Sequence, residues 1–258
     1  MPSKLPKSSS PKKIRNIKLT LEYDGSRFCG FQLQTGRPTI QAALETALSR
    51  LFDRPMKISA AAGRTDAGVH ALGQVVNFKT ASSIPVFKIQ RGLNVYLPPE
   101  IAVKKAEEVP LSFHARFQAK WKIYEYRVLA SKVRSPLLNG RAYQCPFPLD
   151  VSRIKRAAKR VLGRRNFKSF QASGSPIRDC VRHVRRAAVS QEGDILCFAF
   201  EADGFLYHMV RNLVGALLEV GKGKLSVENL GRILKSGNRR LAPATAPACG
   251  LTLVDVTY

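Results

Sequence analysis

Acidic residues are scarce in this chain of 258 residues, because 18 Asp and Glu stand against 43 Lys and Arg, for a formal net charge of +25. So large an excess of one sign indicates the kind of partner rather than the fold. Nucleic acid is the first candidate, because basic side chains that neutralise phosphates release counterions. An anionic membrane surface is the second candidate. A carboxylate held within such a chain is better explained by chemistry than by attraction of an acidic partner.

The sequence also lacks the features that define several other classes of protein. No apolar run of about 18 residues could span a bilayer. The N-terminus is basic but has no apolar segment typical of a secretory signal. The five cysteines include no C-x-x-C pair and the four histidines are scattered, so neither a disulfide framework nor a metal site is expected. A reducing cytoplasm is the location that we predict.

Hydrophobic residues make up 45% of the chain, which is typical of a globular protein. Residues 1–15 are rich in Ser, Pro, Lys and Arg and are interpreted as a flexible basic arm. Residues 16–112 form a predicted N-terminal half and residues 113–258 a C-terminal half. Each half mixes strands and helices, which favours an α+β architecture with mainly antiparallel pairing.

The periodicity and the capping signals predict individual elements in both halves. In the N-terminal half they are an alternating strand over 17–23, a helix capped by Thr39, and strands over 57–62 and 74–78. In the C-terminal half they are a strand over 121–129, a helix capped by Asp150, a hairpin over 181–200, an apolar helix over 206–220, a short helix over 227–236 and a strand over 251–254.

The sequence GRTDAGVH at residues 63–70 lies on the loop between two of the predicted strands, and it carries the candidate catalytic residue Asp66. One interpretation is a turn aspartate that hydrogen-bonds its own backbone before Gly68. The other is a carboxylate nucleophile or base. Spacing alone favours the turn.

Three further residues could carry chemistry. Tyr124 and Tyr126 share one face of a predicted strand, either as core aromatics or as rings that stack on a base. Arg211 lies inside an apolar helix, where an arginine usually needs an anionic partner, and Asp66 would serve. An arginine that extends along the helix surface to solvent is an equally good interpretation.

Residues 151–190 contain twelve Lys or Arg and a single acid, Asp179. Ordinary protein surfaces mix both signs of charge. We therefore expect this pool of cations to include contacts to phosphate groups. Its members are Arg153, Lys155, Arg156, Lys159, Arg160, Arg164, Arg165, Lys168, Arg178, Arg182, Arg185 and Arg186.

Taken together, these motifs resemble the tRNA pseudouridine synthase A family. The matching segments occur in family order over nearly the whole chain after the basic arm. They are YDGS (23–26), GFQ (30–32), GRTDAGVH (63–70), FHARF (113–117), YEY (124–126), NFKSF (166–170), FLYHMVRNLVG (205–215) and GL (250–251).

The resemblance implies a pseudouridine synthase fold, with two α+β halves around a central antiparallel sheet and a basic cleft between them. It implies a homodimer, no cofactor and no metal. It also implies that the chain isomerises uridine to pseudouridine at positions 38, 39 and 40, in the anticodon stem-loop of tRNA.

The resemblance also assigns the site residues. Asp66 matches the catalytic aspartate, Tyr124 the tyrosine that stacks on the target base and acts as a general base, and Arg211 the basic partner of the aspartate. Arg64 matches an arginine that helps to flip the target nucleotide. Substrate contacts are expected from Arg64, Thr65, Tyr124 and His70.

Other functions remain open at this point. A noncatalytic RNA-binding or tRNA-folding factor on the same scaffold is the main alternative. A nuclease or glycosidase is disfavoured, because it would need metal ligands or paired acids and the 18 acidic residues form no cluster in the sequence. Asp66 could attack the sugar C1′ or assist elimination to a glycal.

The basic arm is expected to add nonspecific RNA affinity through Lys4, Lys7, Lys12, Lys13 and Arg15.

Overall fold

The computed structural model describes residues 13–258, so most of the predicted basic arm, residues 1–12, lies outside the described part of the chain. Arg15 was assigned to that arm, and this prediction was wrong. Arg15 is the first residue of strand β1 (Arg15–Tyr23), and its Nε donates to Glu108 Oε2 at 2.8 Å. Its partner is far away in sequence, so local composition could not reveal the contact.

Ten strands and five α-helices form the regular structure of residues 13–258. The strands are β1, β2 (Ala60–Ala61), β3 (His70–Thr80), β4 (Ile101–Val109), β5 (Trp121–Leu129), β6 (Tyr143–Gln144), β7 (Gly163–Asn166), β8 (Val181–Glu192), β9 (Ile195–Ala202) and β10 (Leu251–Thr257). The helices are α1 (Ile40–Phe52), α2 (Val86–Tyr96), α3 (Val151–Ala158), α4 (Met209–Gly221) and α5 (Val227–Ser236).

All ten strands belong to one sheet. Its order is β4-β1-β3-β10-β5-β9-β8-β7, with β2 paired to β3 and β6 paired to β5. Pairing is antiparallel except between β10 and β3 and between β5 and β6. The last strand of the chain lies between β3 and β5, so it joins strands from both halves of the sequence. The α+β prediction with mainly antiparallel pairing is confirmed.

Several local signals in the sequence act as predicted. Thr39 caps α1, because its Oγ1 accepts a hydrogen bond from the backbone N–H of Ala42 at 3.3 Å. Asp150 and Ser226 cap α3 and α5 in the same way. Such a cap contributes about 1 kcal/mol by satisfying a donor that the helix leaves free. The predicted strand over 121–129 is β5.

Other boundaries differ from the predictions. The apolar helix begins at Met209 rather than at 206, because His208 adopts a left-handed conformation (φ 59°) that a helix cannot include. The strand before the GRTDAGVH loop shortens to β2, and β3 already begins at His70. Two elements were not predicted from the sequence. Helix α2 buries only Ile89 and Leu93, and strand β4 has the charged residues that are typical of an edge strand.

Helices pack on the sheet in two groups. Helix α2 contacts α1 and β4 at one end, and α3 contacts α4 and β8 at the other. The loop between β2 and β3 carries Asp66, and it meets the first turn of α4. No helix among residues 13–258 is long and apolar enough to cross a membrane.

Candidate active site

Asp66 occupies the first position of a tight turn. The backbone N–H of Val69 donates to the carbonyl oxygen of Asp66 at 3.2 Å. Gly68 has a φ of +77°, a conformation in which a side chain would be strained. The segment therefore forms a turn through its backbone. The Asp66 side chain makes no hydrogen bond to its own backbone within residues 13–258, so the interpretation of Asp66 as a turn aspartate of that kind is wrong, and the side chain is free to point away from the turn.

The loop around Asp66 packs closely against the segment that follows β1. The N–H of Phe31 donates to the carbonyl oxygen of Thr65 at 3.0 Å. A Cβ atom at Gly30 would lie 2.8 Å from that same oxygen, and the φ of Gly30 is +95°. Only glycine permits this approach, so the GFQ motif holds the position of the Asp66 loop.

Buried polar side chains hydrogen-bond the loop on the side that faces the protein interior. The Tyr23 hydroxyl lies 2.8 Å from Thr65 Oγ1, and Gln74 Nε2 donates to the Gly63 carbonyl oxygen at 2.9 Å. Burial raises the pKa of Tyr23 to about 12, so its hydroxyl stays protonated. The hydroxyl of Thr65, which was expected to contact substrate, is used inside the protein.

The Asp66 carboxylate meets the first turn of α4. Arg211 Nη1 donates to Asp66 Oδ2 at 3.1 Å, and His208 Nε2 lies 3.4 Å from the same oxygen. Of the two interpretations of Arg211 from the sequence, the pairing with Asp66 is confirmed. Asp66 and Arg211 side chains are 20% and 15% exposed, which leaves the pair reachable from outside but largely shielded from water.

Arg211 is held from both sides. Its Nε donates to the carbonyl oxygen of Ala246 at 2.8 Å. The segment that carries Ala246 is fixed in turn, because Arg239 donates to Thr245 Oγ1, and Thr245 donates to Asn212 Oδ1 at 2.6 Å. A guanidinium with two fixed acceptors has few alternative positions, so it orients the carboxylate firmly.

His208 is a site residue that the sequence analysis missed. It lies one residue before α4 and three before Arg211, which brings both side chains to the Asp66 carboxylate. Burial lowers the pKa of His208, and Arg211 and Arg239 lower it further, while Asp66 opposes them. The imidazole is therefore mainly neutral at neutral pH. Its spacing of three residues from Arg211 was the available signal.

Tyr124 lies on β5, and its ring packs edge-on against Phe205 with the centroids 5.1 Å apart. Burial raises its pKa, and the nearby Tyr23 and Asp66 raise it further. The phenol is therefore neutral. Its hydroxyl faces the loop that carries Asp66, because a Cβ atom on Gly63 would lie 4.0 Å from it. Tyr126, on the same face, instead donates to the Pro247 carbonyl oxygen at 2.7 Å within the core. We refer to Asp66, Tyr124, His208 and Arg211 as the Asp66 pocket.

Two other candidate residues lie differently. Arg64 is exposed at the edge of the loop. His70 is buried, and its Nε2 lies 2.8 Å from the Gly140 carbonyl oxygen, while its Nδ1 accepts the N–H of Gly25 at 3.2 Å. Both ring nitrogens of His70 thus bind protein groups, which favours a role in positioning the loop over direct contact with substrate.

A cavity of about 780 Å³ lies away from Asp66, at the far end of α4. Arg211 and Val220, which lines this cavity, are nine residues apart on α4, a rise of about 14 Å. Five members of the predicted pool of cations line it. We call this cavity the basic cavity. The five cations that line it are Arg153, Arg156, Lys159, Arg160 and Arg165.

Comparison with known proteins identifies the family. Residues 20–118 and 157–258 match the family model described as tRNA pseudouridine synthase. The chain belongs to this family. The matched residues include both the Asp66 loop and the first turns of α4.

Curated relatives match along almost their whole length. The tRNA pseudouridine synthase A of Limosilactobacillus fermentum is 44% identical over 249 residues, which covers 95% of this chain and 96% of the relative. Proteins of the same name from Moorella thermoacetica and Neisseria gonorrhoeae are 45% and 44% identical over 244 and 241 residues, covering 94% and 93% of this chain and 99% and 91% of the relatives.

Proposed function

We propose that this protein is an isomerase that converts uridine to pseudouridine in tRNA, at positions 38, 39 and 40 of the anticodon stem-loop. Membership of the tRNA pseudouridine synthase family supports the reaction and the class of substrate. The single observation in the structure that supports it best is the Asp66 carboxylate, held by Arg211 beside the neutral phenol of Tyr124.

The proposed role of Asp66 follows from the way its two oxygens differ. Oδ2 is engaged by Arg211 and lies near His208, whereas Oδ1 accepts no hydrogen bond from residues 13–258. A fixed carboxylate with one free oxygen can attack the sugar C1′ or assist elimination to a glycal. Either route breaks the C1′–N1 bond and then joins C1′ to C5 of the rotated uracil.

Tyr124 is proposed to stack on the target base and to take part in the proton transfer from C5. Because its pKa is raised, the hydroxyl keeps its proton until the reaction. It can therefore accept the C5 proton only if it passes its own proton on in the same step. Arg64, exposed at the rim, is proposed to help flip the target nucleotide, a step that costs a few kcal/mol.

The proposal includes tRNA bound over a wide positive surface, in agreement with a net charge of +25. It includes a homodimer, which a measurement of mass in solution would test. It needs neither metal nor cofactor, so activity should survive a chelator. The cytoplasmic location predicted from the sequence remains part of the proposal.

The test uses tRNA transcripts with uridine tritiated at C5 and only one uridine among positions 38, 39 and 40. Isomerisation releases the C5 tritium into water. We expect release from each of the three transcripts and none from a control transcript that has cytidine at all three positions. Release from the control would contradict the proposed positions, and tight binding without any release would favour a noncatalytic tRNA-binding factor.

A further inference from the structure

Lys122 lies beside the Asp66 pocket, and the proposed reaction does not use it. It is on β5, two residues before Tyr124, so both side chains point to the same face of the sheet. A Cβ atom placed on Gly63 would lie 3.8 Å from Lys122 Nζ and 4.0 Å from the Tyr124 hydroxyl oxygen. The amino group therefore borders the same space in front of the GRTDAGVH loop.

Two arginines accompany Lys122. In the sheet Lys122 pairs with Ala202 on β9, which pairs with Val184 on β8. Arg182, two residues before Val184, therefore lies on the same face as Lys122. Arg116 belongs to the segment before β5, and the charges of both arginines help to lower the pKa of Lys122.

Little negative charge balances this cluster. Asp203 attracts the ammonium of Lys122, but one of its carboxylate oxygens already accepts the N–H of His183 at 3.0 Å. Within residues 13–258, Lys122 makes no ion pair shorter than 4.0 Å and no hydrogen bond. The facing loop adds one more cation, Arg64, and the carboxylate of Asp66, which is paired with Arg211.

We propose that Lys122, Arg116 and Arg182 bind one phosphodiester of the RNA strand, next to the target uridine. Lys122 is repelled by both arginines, and a ligand with a full negative charge relieves this repulsion. Uracil lacks such a charge, and each backbone phosphate has one. Lysine suits this role, because it binds phosphate as a point charge. The assignment rests on the proposed function for the identity of the RNA.

The protonation of Lys122 supplies a distinctive measurement. Burial lowers the pKa of Lys122 to about 8 in the free protein, and Arg116 and Arg182 contribute. A bound phosphate favours the charged amine, so it raises this pKa. Affinity is therefore greatest below about pH 8, and it falls as the pH rises above that value, because binding then requires uptake of a proton.

The experiment measures binding of a labelled anticodon stem-loop RNA by proteins that also carry Asp66→Asn, so that no substrate is converted. Lys122→Gln is expected to weaken binding roughly tenfold and to reduce the slope of log K against log salt by about 1. Lys122→Arg should retain the affinity but lose the decline between about pH 7 and pH 9. The matched control, Lys120→Gln, removes an exposed cation two residues away and should behave as the parent protein.

A second arm separates the phosphate from the base. An RNA with an uncharged methylphosphonate linkage next to the target uridine, on its 5′ or 3′ side, should bind the parent protein more weakly. With Lys122→Gln the same linkage should cause a smaller loss than in the parent protein, because one of the three cations that bind the phosphate is already absent. Equal losses in both proteins at both linkages would overturn the assignment, as would an affinity of Lys122→Gln equal to that of Lys120→Gln.

These outcomes are independent of the isomerase proposal. If wild-type protein released no tritium from tRNA while Lys122→Gln still lost affinity and showed a reduced methylphosphonate effect, the phosphate site would stand and the proposed reaction would be wrong. If tritium were released normally but Lys122→Gln bound as the control does, the phosphate site alone would fall. As a control, equal midpoints of thermal unfolding for the variants and the parent protein would exclude a folding defect.

Discussion

The Asp66 pocket and the basic cavity both contain arginine, but they use its charge differently. In the pocket one guanidinium is shielded and fixed by two acceptors, Asp66 and the Ala246 carbonyl oxygen. In the cavity the five cations are exposed, and Arg153 alone among them makes an ion pair within residues 13–258, at 3.2 Å with Asp150. The pocket therefore has one positive charge in a set geometry, whereas the cavity has five positive charges with freedom to adjust.

This difference has a functional meaning. A transition state requires donors held at fixed positions, because preorganised groups need no rearrangement during the reaction. An RNA backbone requires many contacts that each contribute little and that depend on salt. We therefore expect substitutions in the pocket to change the rate of the chemical step, and those in the cavity to change binding and its salt dependence.

Removal of one positive charge from each region gives the largest contrast. Arg211→Gln should lower kcat by about 10²- to 10³-fold, because a fixed partner of Asp66 is lost. The kcat of Arg211→Lys should fall nearly as far, because an ammonium group cannot donate to Asp66 and to the Ala246 carbonyl oxygen in the geometry of a guanidinium. Arg156→Gln, in the cavity, should leave kcat unchanged. Single-turnover assays with tritiated tRNA measure the rate constant of the chemical step for Arg211→Gln and for Arg156→Gln. An equal fall for these two substitutions would contradict the comparison.

Two tyrosines on β5 sharpen the comparison within the protein. Tyr124→Phe keeps the ring against Phe205 but removes the hydroxyl, and it should lower kcat about 10²-fold with little change in KM. Tyr126→Phe is the matched control. It loses the hydrogen bond to Pro247 and should cost about 1 kcal/mol of stability without changing kcat. A normal kcat for Tyr124→Phe would show that stacking alone suffices.

The basic cavity is tested by its salt dependence. The triple substitution of Arg156, Lys159 and Arg160 by Gln should reduce the slope of log K against log salt by about 2 to 3 and weaken tRNA binding, with kcat at saturation unchanged. The control, Lys88→Gln, removes an exposed cation on α2 at the other end of the molecule. If the triple variant kept the wild-type slope, the cavity would not contact the RNA.

His70 gives the smallest expected effect on activity. His70→Gln should lower the free energy of unfolding by about 1 to 3 kcal/mol, because the Gly140 carbonyl oxygen and the Gly25 N–H lose their partner. The affinity for tRNA at a temperature where the variant is folded should stay within about twofold. Denaturant unfolding measures the stability of His70→Gln, and a binding assay measures its affinity for tRNA. A large loss of affinity at unchanged stability would show that His70 contacts the substrate directly.

Local patterns predict much of this molecule. The alternation in β5, the caps Thr39, Asp150 and Ser226, and the turn at Gly193 of the β8–β9 hairpin all depend on residues close in sequence. The pairing of Asp66 with Arg211, 145 residues apart, could also be considered, because an arginine within an apolar helix requires an anion.

The features that the sequence did not reveal depend on distant contacts. The left-handed backbone at His208 ends the predicted helix early and directs its ring to Asp66. The space that Lys122 borders exists only because β5 lies opposite the Gly63 loop. The basic cavity gathers cations from α3, the segment after it and β7 against the start of α5, and no spacing in the sequence specifies that packing.

The central claim is that Asp66 carries out the reaction. The most direct measurement compares wild type with Asp66→Asn in the release of tritium from tRNA labelled at C5 of uridine, together with tRNA affinity. We predict release by wild type, a loss of release on the order of 10⁴-fold or more in Asp66→Asn, and a tRNA affinity of the variant within about threefold of that of wild type. Release by the variant at a rate near that of wild type would contradict it.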